Sequence, residues 1–416
     1  MQTTLSGEFK NTPEGAESEA ILRKCVHCGF CNATCPTYQL LGDELDGPRG
    51  RIYLIKQVLE GAPVTRSTQL HLDRCLTCRN CETTCPSGVE FGALIDIGRR
   101  VVEQRVARPA AQRTLRWLLK ECLTSRAFGP LMRIARHLRP LLPRALRLKV
   151  PVAAAVGRSA PRDREYTAPP ALRRRMLLLE GCVQPSMMPN INRATARVLA
   201  AAGIETVTVP QAGCCGALRL HLADHEGALT DMRRNVDAWW PLVGAGEVEA
   251  VVVNASGCSA TVKDYGHALR NDPAYAERAA KLSALARDVC ELLPDLAASL
   301  KTRVRIRSAQ PVAFHSPCSL QHGQRLRGLV ETHLGALGFE IRTAGAESHW
   351  CCGSAGTYSV LQPALAYELR DRKLENLAAL GAGCIASANI GCIQHLQSGT
   401  ATRVVHWIEL LDEALD

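Results

Sequence analysis

The sequence predicts an α/β protein in which a small helical, cysteine-bearing unit precedes two similar α/β halves related by a pseudo-twofold repeat. Three observations lead there. A run of four cysteines recurs after 50 residues near the N-terminus, a different set of four cysteines occurs twice from Met176 onward, and the second region alternates short apolar runs with amphipathic ones.

Composition sets the frame. The chain has 416 residues, 46 % of them hydrophobic and 22 % charged, with a formal net charge of +10. That balance suits a globular protein of two or three domains and excludes a disordered, collagen-like or coiled-coil chain. No window is apolar for the roughly 18 residues a spanning helix needs. The N-terminus is acidic (Glu8, Glu14, Glu17, Glu19) where an export signal would be basic and then apolar, so the expected location is the cytoplasm. Nineteen cysteines in a reducing compartment point to metal rather than to disulfides.

The first element is residues 1–100. Cys25, Cys28, Cys31 and Cys35-Pro36 form a C-x2-C-x2-C-x3-C-P run, which Cys75, Cys78, Cys81 and Cys85-Pro86 repeat. This is the spacing of di-cluster ferredoxins, in which the fourth cysteine of each run reaches the other cluster. The crossed pattern assigns one [4Fe-4S] cluster to Cys25, Cys28, Cys31 and Cys85, and the other to Cys75, Cys78, Cys81 and Cys35. Structural zinc modules present paired C-x2-C units instead, and a Rieske centre using His27 would leave a cysteine redundant, so His27 reads as a spacer beside the cluster.

The second element, residues 101–170, is a basic linker. Between Arg99 and Arg175 there are 20 Lys and Arg against 4 Asp and Glu, a local charge of +16. Leu131, Ile134, Ala135, Leu138 and Leu142 fall at helical spacing, with Arg133, Arg136 and His137 on another face, and Pro140 and Pro143 break the run. Short basic amphipathic helices follow, suited to an anionic lipid surface or an acidic partner, or simply to solvent. Nucleic acid is not expected as a partner: aromatic residues are only 4 %, poor material for stacking bases, and no P-loop or binding module is present.

The third and fourth elements are the repeated halves, residues 171–310 and 311–416. A strand-like apolar run holds a lone cysteine (Cys182, Cys318), a Cys-Cys-Gly triplet begins 32 and 33 residues later (Cys214-Cys215-Gly216, Cys351-Cys352-Gly353), and a last cysteine follows the second Cys of the triplet by 43 and 40 residues (Cys258, Cys392). The runs EAVVVNASGC and CIASANIGC read as strands that end at those last cysteines, and a helix is expected over about Leu326 to Leu337. Parallel strands would gather four thiols at one sheet edge in each half. Adjacent cysteines make poor disulfides, and the glycine of each triplet suggests a close backbone approach to a bulky bound group. The eight repeated cysteines are therefore candidate metal ligands, whereas Cys122, Cys290 and Cys384 lack counterparts and read as core or linker residues.

The two ferredoxin runs, the tandem triplets, the segment Gly42–Gly61 (GDELDGPRGRIYLIKQVLEG) and the stretches NVDAWW at Asn235, CCGSAGTY at Cys351, NIGC at Asn389 and HWIE at His406 together resemble the glycolate oxidase iron-sulfur subunit family over the whole chain. The resemblance implies an electron-transfer subunit of a glycolate dehydrogenase. In such an enzyme FAD-bearing partner subunits oxidise glycolate to glyoxylate, and electrons pass through iron-sulfur clusters toward a membrane quinone at the inner face of the cell membrane. Substrate alternatives within the same plan are D-lactate and glycerol 3-phosphate. A heterodisulfide-reductase-like catalytic role for the triplet module is disfavoured, because the fullest version of that module closes each half with C-x2-C, and here Ala255 and Asn389 take the first places. A third [4Fe-4S] cluster, a cluster in one half and zinc in one half all stay open for this module. No dinucleotide fingerprint, P-loop or nucleophile elbow occurs, so no catalytic residue is assigned to the chain itself.

Overall fold

The computed structural model describes residues 1–125, 127–151, 174–306 and 310–416. The last part of the expected linker and the first residues of the third element therefore lie outside the described residues.

The N-terminal unit is helical. Helices Pro13–Lys24, Pro48–Leu59, Arg66–Asp73 and Phe91–Arg105 close around Leu22, Ile55, Leu59, Leu94 and Ile95, all fully buried. Their ends are set locally: the Thr12 side chain accepts from Gly15 N–H ahead of Pro13, and the Thr65 side chain accepts from Thr68 N–H. The cysteine loops lie between these helices, so the apolar core fixes where the thiols can go.

The remainder carries two four-stranded sheets. Strands β1 (Arg174–Leu179), β2 (Ile204–Val207), β3 (Ala250–Val253) and β4 (Ala286–Asp288) are ordered β2-β1-β3-β4, and all pairs are parallel. Strands β5 (Val312–His315), β6 (Ile341–Arg342), β7 (Cys384–Ser387) and β8 (Arg403–His406) repeat the order as β6-β5-β7-β8, again parallel. The two sheets thus share one topology. Residues alternate across β1 and β3: Met176, Leu178, Ala250 and Val252 face a core shared with Phe314, Ile385 and Val404 of the other half, while Leu177, Leu179, Val251 and Val253 face an outer core with Val236 and Trp239. Strands buried on both faces need apolar residues at every position, which is why they read as unbroken runs. At the junction between the halves the helices Pro189–Ala201 and Trp407–Ala414 pack together, tied by Arg197 Nε donating to Asp412 at 2.7 Å.

Three sequence expectations need correction. The strands stop at Val253 and Ser387, so Cys258 and Cys392 are the third residues of the following helices, Ser256–Lys263 and Ile390–Gln397. Small polar residues end each apolar run, and the Asn389 side chain caps its helix by accepting from Gly391 N–H at 3.2 Å. The helix expected from Leu326 begins at Leu329, after Gly328 in a left-handed conformation. In the linker, helices Ala110–Thr124 and Phe128–His137 form, but the apolar face divides: Met132 packs inward, while Leu131, Ile134 and Leu138 are exposed. Arg136 turns inward as well, donating to Met187 O at 3.0 Å.

Candidate metal centres

Each N-terminal cysteine run is a tight loop with the same backbone path. His27 and Gly29 after Cys25, and Thr77 and Arg79 after Cys75, all have positive φ, so the left-handed steps recur at a 50-residue interval like the cysteines themselves. Cys35 precedes the helix Pro36–Leu41 at its N-cap, and Cys85 ends the helix Asn80–Thr84 at its C-cap. Proline after each fourth cysteine points the chain away from its own loop. As a result Cys25, Cys28, Cys31 and Cys85 line one hollow of about 430 Å³, and Cys35, Cys75, Cys78 and Cys81 line a second of about 380 Å³. Pro48, Cys81 and Phe91 form part of both walls, so the two hollows are immediate neighbours.

Three thiols of these hollows, Cys31, Cys35 and Cys81, are costly to ionise unaided. Burial pushes Cys31 up to about 11, with the charge of Cys25 adding to it, and burial raises Cys35 and Cys81 as well. A metal that binds thiolates offsets that cost and releases the protons. The second hollow also has a cation in its wall. Arg51, only 1 % exposed, donates from Nε to His71 O at 2.8 Å and from Nη1 to Thr37 Oγ1 at 3.1 Å, and it faces Asp46 at 3.4 Å. Asp46 is also paired with Arg74 at 2.7 Å and touches His71 Nδ1 at 3.1 Å. Ligand spacing alone did not single out Arg51 or Asp46, although both lie in the Gly42–Gly61 segment that carries the family resemblance.

The two α/β halves place their cysteines alike. In the first, Cys214 accepts hydrogen bonds from Cys182 and Cys215, and Cys215 also reaches Cys258. These bonds, with Gly216 N–H donating to Cys214 Sγ at 3.4 Å, hold Cys214 well below the ordinary thiol range. Burial and the Cys214 charge raise the nearby Asp231 carboxyl to about 6. In the second, Cys318 reaches Cys351, Cys351 reaches Cys352 and Cys352 reaches Cys392, with Gly353 N–H donating to Cys351 Sγ at 3.4 Å. Cys258 and Cys392 sit in the first turns of their helices. A Cβ on Gly216 would lie 3.0 Å from Ala228 O, and one on Gly353 would lie 2.3 Å from Ala366 O, so each triplet glycine admits the close approach of the next helix. Cys290 is fully buried, while Cys122 and Cys384 are partly buried.

The second half also touches the N-terminal unit. Cys318 is within hydrogen-bond reach of Cys78, and Leu76, Cys318, Trp350, Cys351 and Tyr358 share one apolar cluster. Thr83 Oγ1 meets His322 Nδ1 at 2.9 Å, Asn80 Nδ2 donates to His349 O at 3.3 Å, and the Tyr358 hydroxyl donates to Arg74 O at 3.1 Å. The loop around the second hollow is therefore built against the Cys318 thiol set.

Comparison with known proteins agrees with this layout. Residues 21–89 match the family described as a 4Fe-4S dicluster domain, and residues 176–263 and 312–397 each match the family described as a cysteine-rich domain. The first match makes [4Fe-4S] clusters the cofactor of this protein. The glycolate oxidase iron-sulfur subunit of Escherichia coli strain K12 is 51 % identical over 417 residues, covering 100 % of both chains. The probable glycolate oxidase iron-sulfur subunit of Bacillus subtilis strain 168 is 30 % identical over 446 residues, covering 99 % of this chain and 97 % of the other. Lactate utilization protein A of Geobacillus thermodenitrificans strain NG80-2 is 27 % identical, but the alignment spans 56 % of this chain and 95 % of that one. With similarity running the full length at the first two, the chain belongs to the family of glycolate oxidase iron-sulfur subunits.

Proposed function

We propose that this protein is the electron-transfer subunit of a flavin-dependent glycolate dehydrogenase that delivers electrons to a membrane quinone, and that its thiols hold two [4Fe-4S] clusters in the crossed pattern. One ligand set is Cys25, Cys28, Cys31 and Cys85, and the other is Cys75, Cys78, Cys81 and Cys35. The observation that carries this reading is the pair of adjoining hollows, each walled by the first three thiols of one run and the fourth of the other, with Cys81 in the wall common to both. Bound there, the clusters supply one-electron steps between a two-electron flavin donor on a partner subunit and the acceptor.

The chain's own residues set the surroundings. Cys28 is exposed, and beside it Val26 and Phe30 remain 69 % and 63 % exposed, which supplies an apolar rim for a partner subunit at the first hollow. Arg51 places a buried positive charge at the second hollow and so favours the more negative, reduced form of whatever occupies it. The exposed Leu131, Ile134, Leu138 and Leu141 lie in the strongly basic linker, a combination suited to an anionic lipid surface. Among the described residues no helix is long and apolar enough to cross a membrane. Glycolate is favoured over lactate as the fuel because the glycolate oxidase relatives match the entire chain and the lactate utilization protein matches little more than half.

The ligand assignment is tested by Cys85→Ser in anaerobically purified protein. Electron paramagnetic resonance should show damage to the cluster whose other ligands are Cys25, Cys28 and Cys31; damage confined to the cluster of Cys75, Cys78 and Cys81 would show the wiring to be uncrossed. Glycolate-dependent reduction of a quinone analogue by the assembled complex tests the reaction, and its absence with intact clusters would remove glycolate as the substrate.

A further inference from the structure

The two halves share a topology, yet one cross-strand pair at the thiol sites differs in kind. In the first half Leu179 and Val253 are register partners at the ends of β1 and β3. In the second, the corresponding ends of β5 and β7 carry His315 and Ser387, also register partners. An apolar pair has been replaced by a polar one in the interior of a sheet, where an unpartnered polar atom is expensive.

His315 is 3 % exposed and its Nδ1 meets Ser387 Oγ at 3.0 Å, but its Nε2 has no hydrogen-bond partner among the described residues. Donor atoms of His315, Cys352 and Cys392 lie within 4.8 Å of one another. Among the described residues the only other His, Cys, Asp or Glu group this tight is Asp43, Asp46 and His71, and there Arg51 and Arg74 already pair with Asp46. Neither the eight N-terminal thiols nor the first half's Cys182, Cys214, Cys215 and Cys258 form such a group.

The geometry points to a single zinc-class divalent ion in the second half, held by His315 Nε2, Cys352 and Cys392, with Cys351, which adjoins Cys352, available for the fourth place. Tetrahedral zinc with Zn–N and Zn–S bonds of about 2.0 and 2.3 Å sets one nitrogen and its sulfurs about 3.5–3.8 Å apart. That fits donors gathered within 4.8 Å, whereas a cubane requires sulfurs standing apart around a hollow, as in the N-terminal unit. Ser387 Oγ stands where a metal-binding imidazole needs a partner on its far side: in the tautomer with the proton on Nδ1, the ring donates to the hydroxyl and keeps the Nε2 lone pair for the metal. The first half, with Leu179 in place of His315, lacks the nitrogen ligand. This inference stands on the second half alone and does not depend on the glycolate reading.

The test is zinc, iron and labile sulfide per chain in full-length protein purified anaerobically, with Cys258→Ser as the first-half control. Wild type is expected to hold about one zinc beside about eight irons. His315→Leu and Cys392→Ser should each lower zinc more than tenfold while iron and the cluster spectra stay unchanged, which also shows that the variants have folded. Cys258→Ser should keep its zinc. Cobalt loaded in place of zinc should show thiolate charge-transfer absorption together with ligand-field bands, and the ligand-field bands should shift in His315→Cys, a variant that replaces the imidazole with a further thiolate. Zinc that is absent from wild type, or unaffected by His315→Leu, overturns the inference, as does iron beyond eight that is lost in Cys392→Ser. Loss of iron in the N-terminal cysteine variants with zinc intact would bear on the cluster assignment alone.

Discussion

An alanine at position 353 would put its Cβ 2.3 Å from the carbonyl of Ala366, against 3.0 Å from that of Ala228 for an alanine at 216, although both glycines have nearly the same left-handed φ, 87° and 92°. The conformational cost is therefore shared, about 1–2 kcal/mol for a residue with a Cβ, and the steric cost is not. In the second half the obstacle is backbone of the helix Pro363–Ala378, which cannot move aside without disturbing its own hydrogen bonds. Gly353→Ala should cost roughly 3 kcal/mol or more and Gly216→Ala roughly 1–2 kcal/mol. Thermal denaturation of the two variants checks this, and equal losses would mean that the helix yields freely. The same residue scale accounts for what motif spacing missed. His315 sits three residues before a cysteine in an apolar run, and only the register of β5 with β7 shows it opposite Ser387 and beside Cys392.

Elements were legible wherever their periodicity was reinforced by burial. The strands β1, β3, β5 and β7 are buried runs that a sequence shows plainly, but their ends are not, because the helices carrying Cys258 and Cys392 begin within the small polar residues that follow. The linker helix Phe128–His137 shows the opposite limit: helical spacing collects Leu131, Ile134 and Leu138 with Ala135, yet only packing decides that Met132 faces inward and the first three outward. That outward set, among arginines, gives the element its own prediction. Replacing Leu131, Ile134 and Leu138 with glutamine should weaken co-flotation with anionic phospholipid vesicles at least about tenfold, since each removes apolar area that lipid would cover. Replacing linker arginines with glutamine should weaken it in a salt-sensitive way. Unchanged flotation in both variants would return the segment to a solvated connector.

Across the whole molecule, the N-terminal unit is clasped from two sides. Glu17, on the helix Pro13–Lys24, pairs with His267 at 2.9 Å and with Arg270 at 2.6 Å on the first half, while Asn80, Thr83 and Arg74 meet the second. The hydrogen bond to Glu17 raises His267 above its ordinary value of 6.5, and the same bond holds Glu17 below 4.5. Folding is therefore stabilised by this contact below about pH 6.5 through His267, and the contribution is lost as pH rises through the raised value. Through Glu17 it is present above about pH 4.5 and lost as pH falls through the lowered one. Because His267 is half exposed, solvent screens the pair and the effect should stay within about 1 kcal/mol. The melting temperature of wild type minus that of His267→Gln should be positive near pH 5.5 and shrink toward zero above pH 8; a difference that does not vary with pH would show that the pair contributes nothing.

The cysteine spacings alone determined the iron-sulfur character of the N-terminal unit and the duplicated plan of the rest, because metal geometry and sheet packing both impose intervals along the chain that survive in one dimension. The proline after each fourth cysteine is equally visible in the sequence, and in the fold Cys85 lines the hollow of Cys25, Cys28 and Cys31 while Cys35 lines that of Cys75, Cys78 and Cys81. What the fold decided was which repeats are equal and which are not. Arg51 in the wall of one hollow, Cys78 against Cys318, and His315 opposite Ser387 are contacts between residues 20 to 240 positions apart or across a sheet. No local pattern encodes such meetings, because they are fixed by strand register and by the docking of separately formed units, and those are properties of the packed chain.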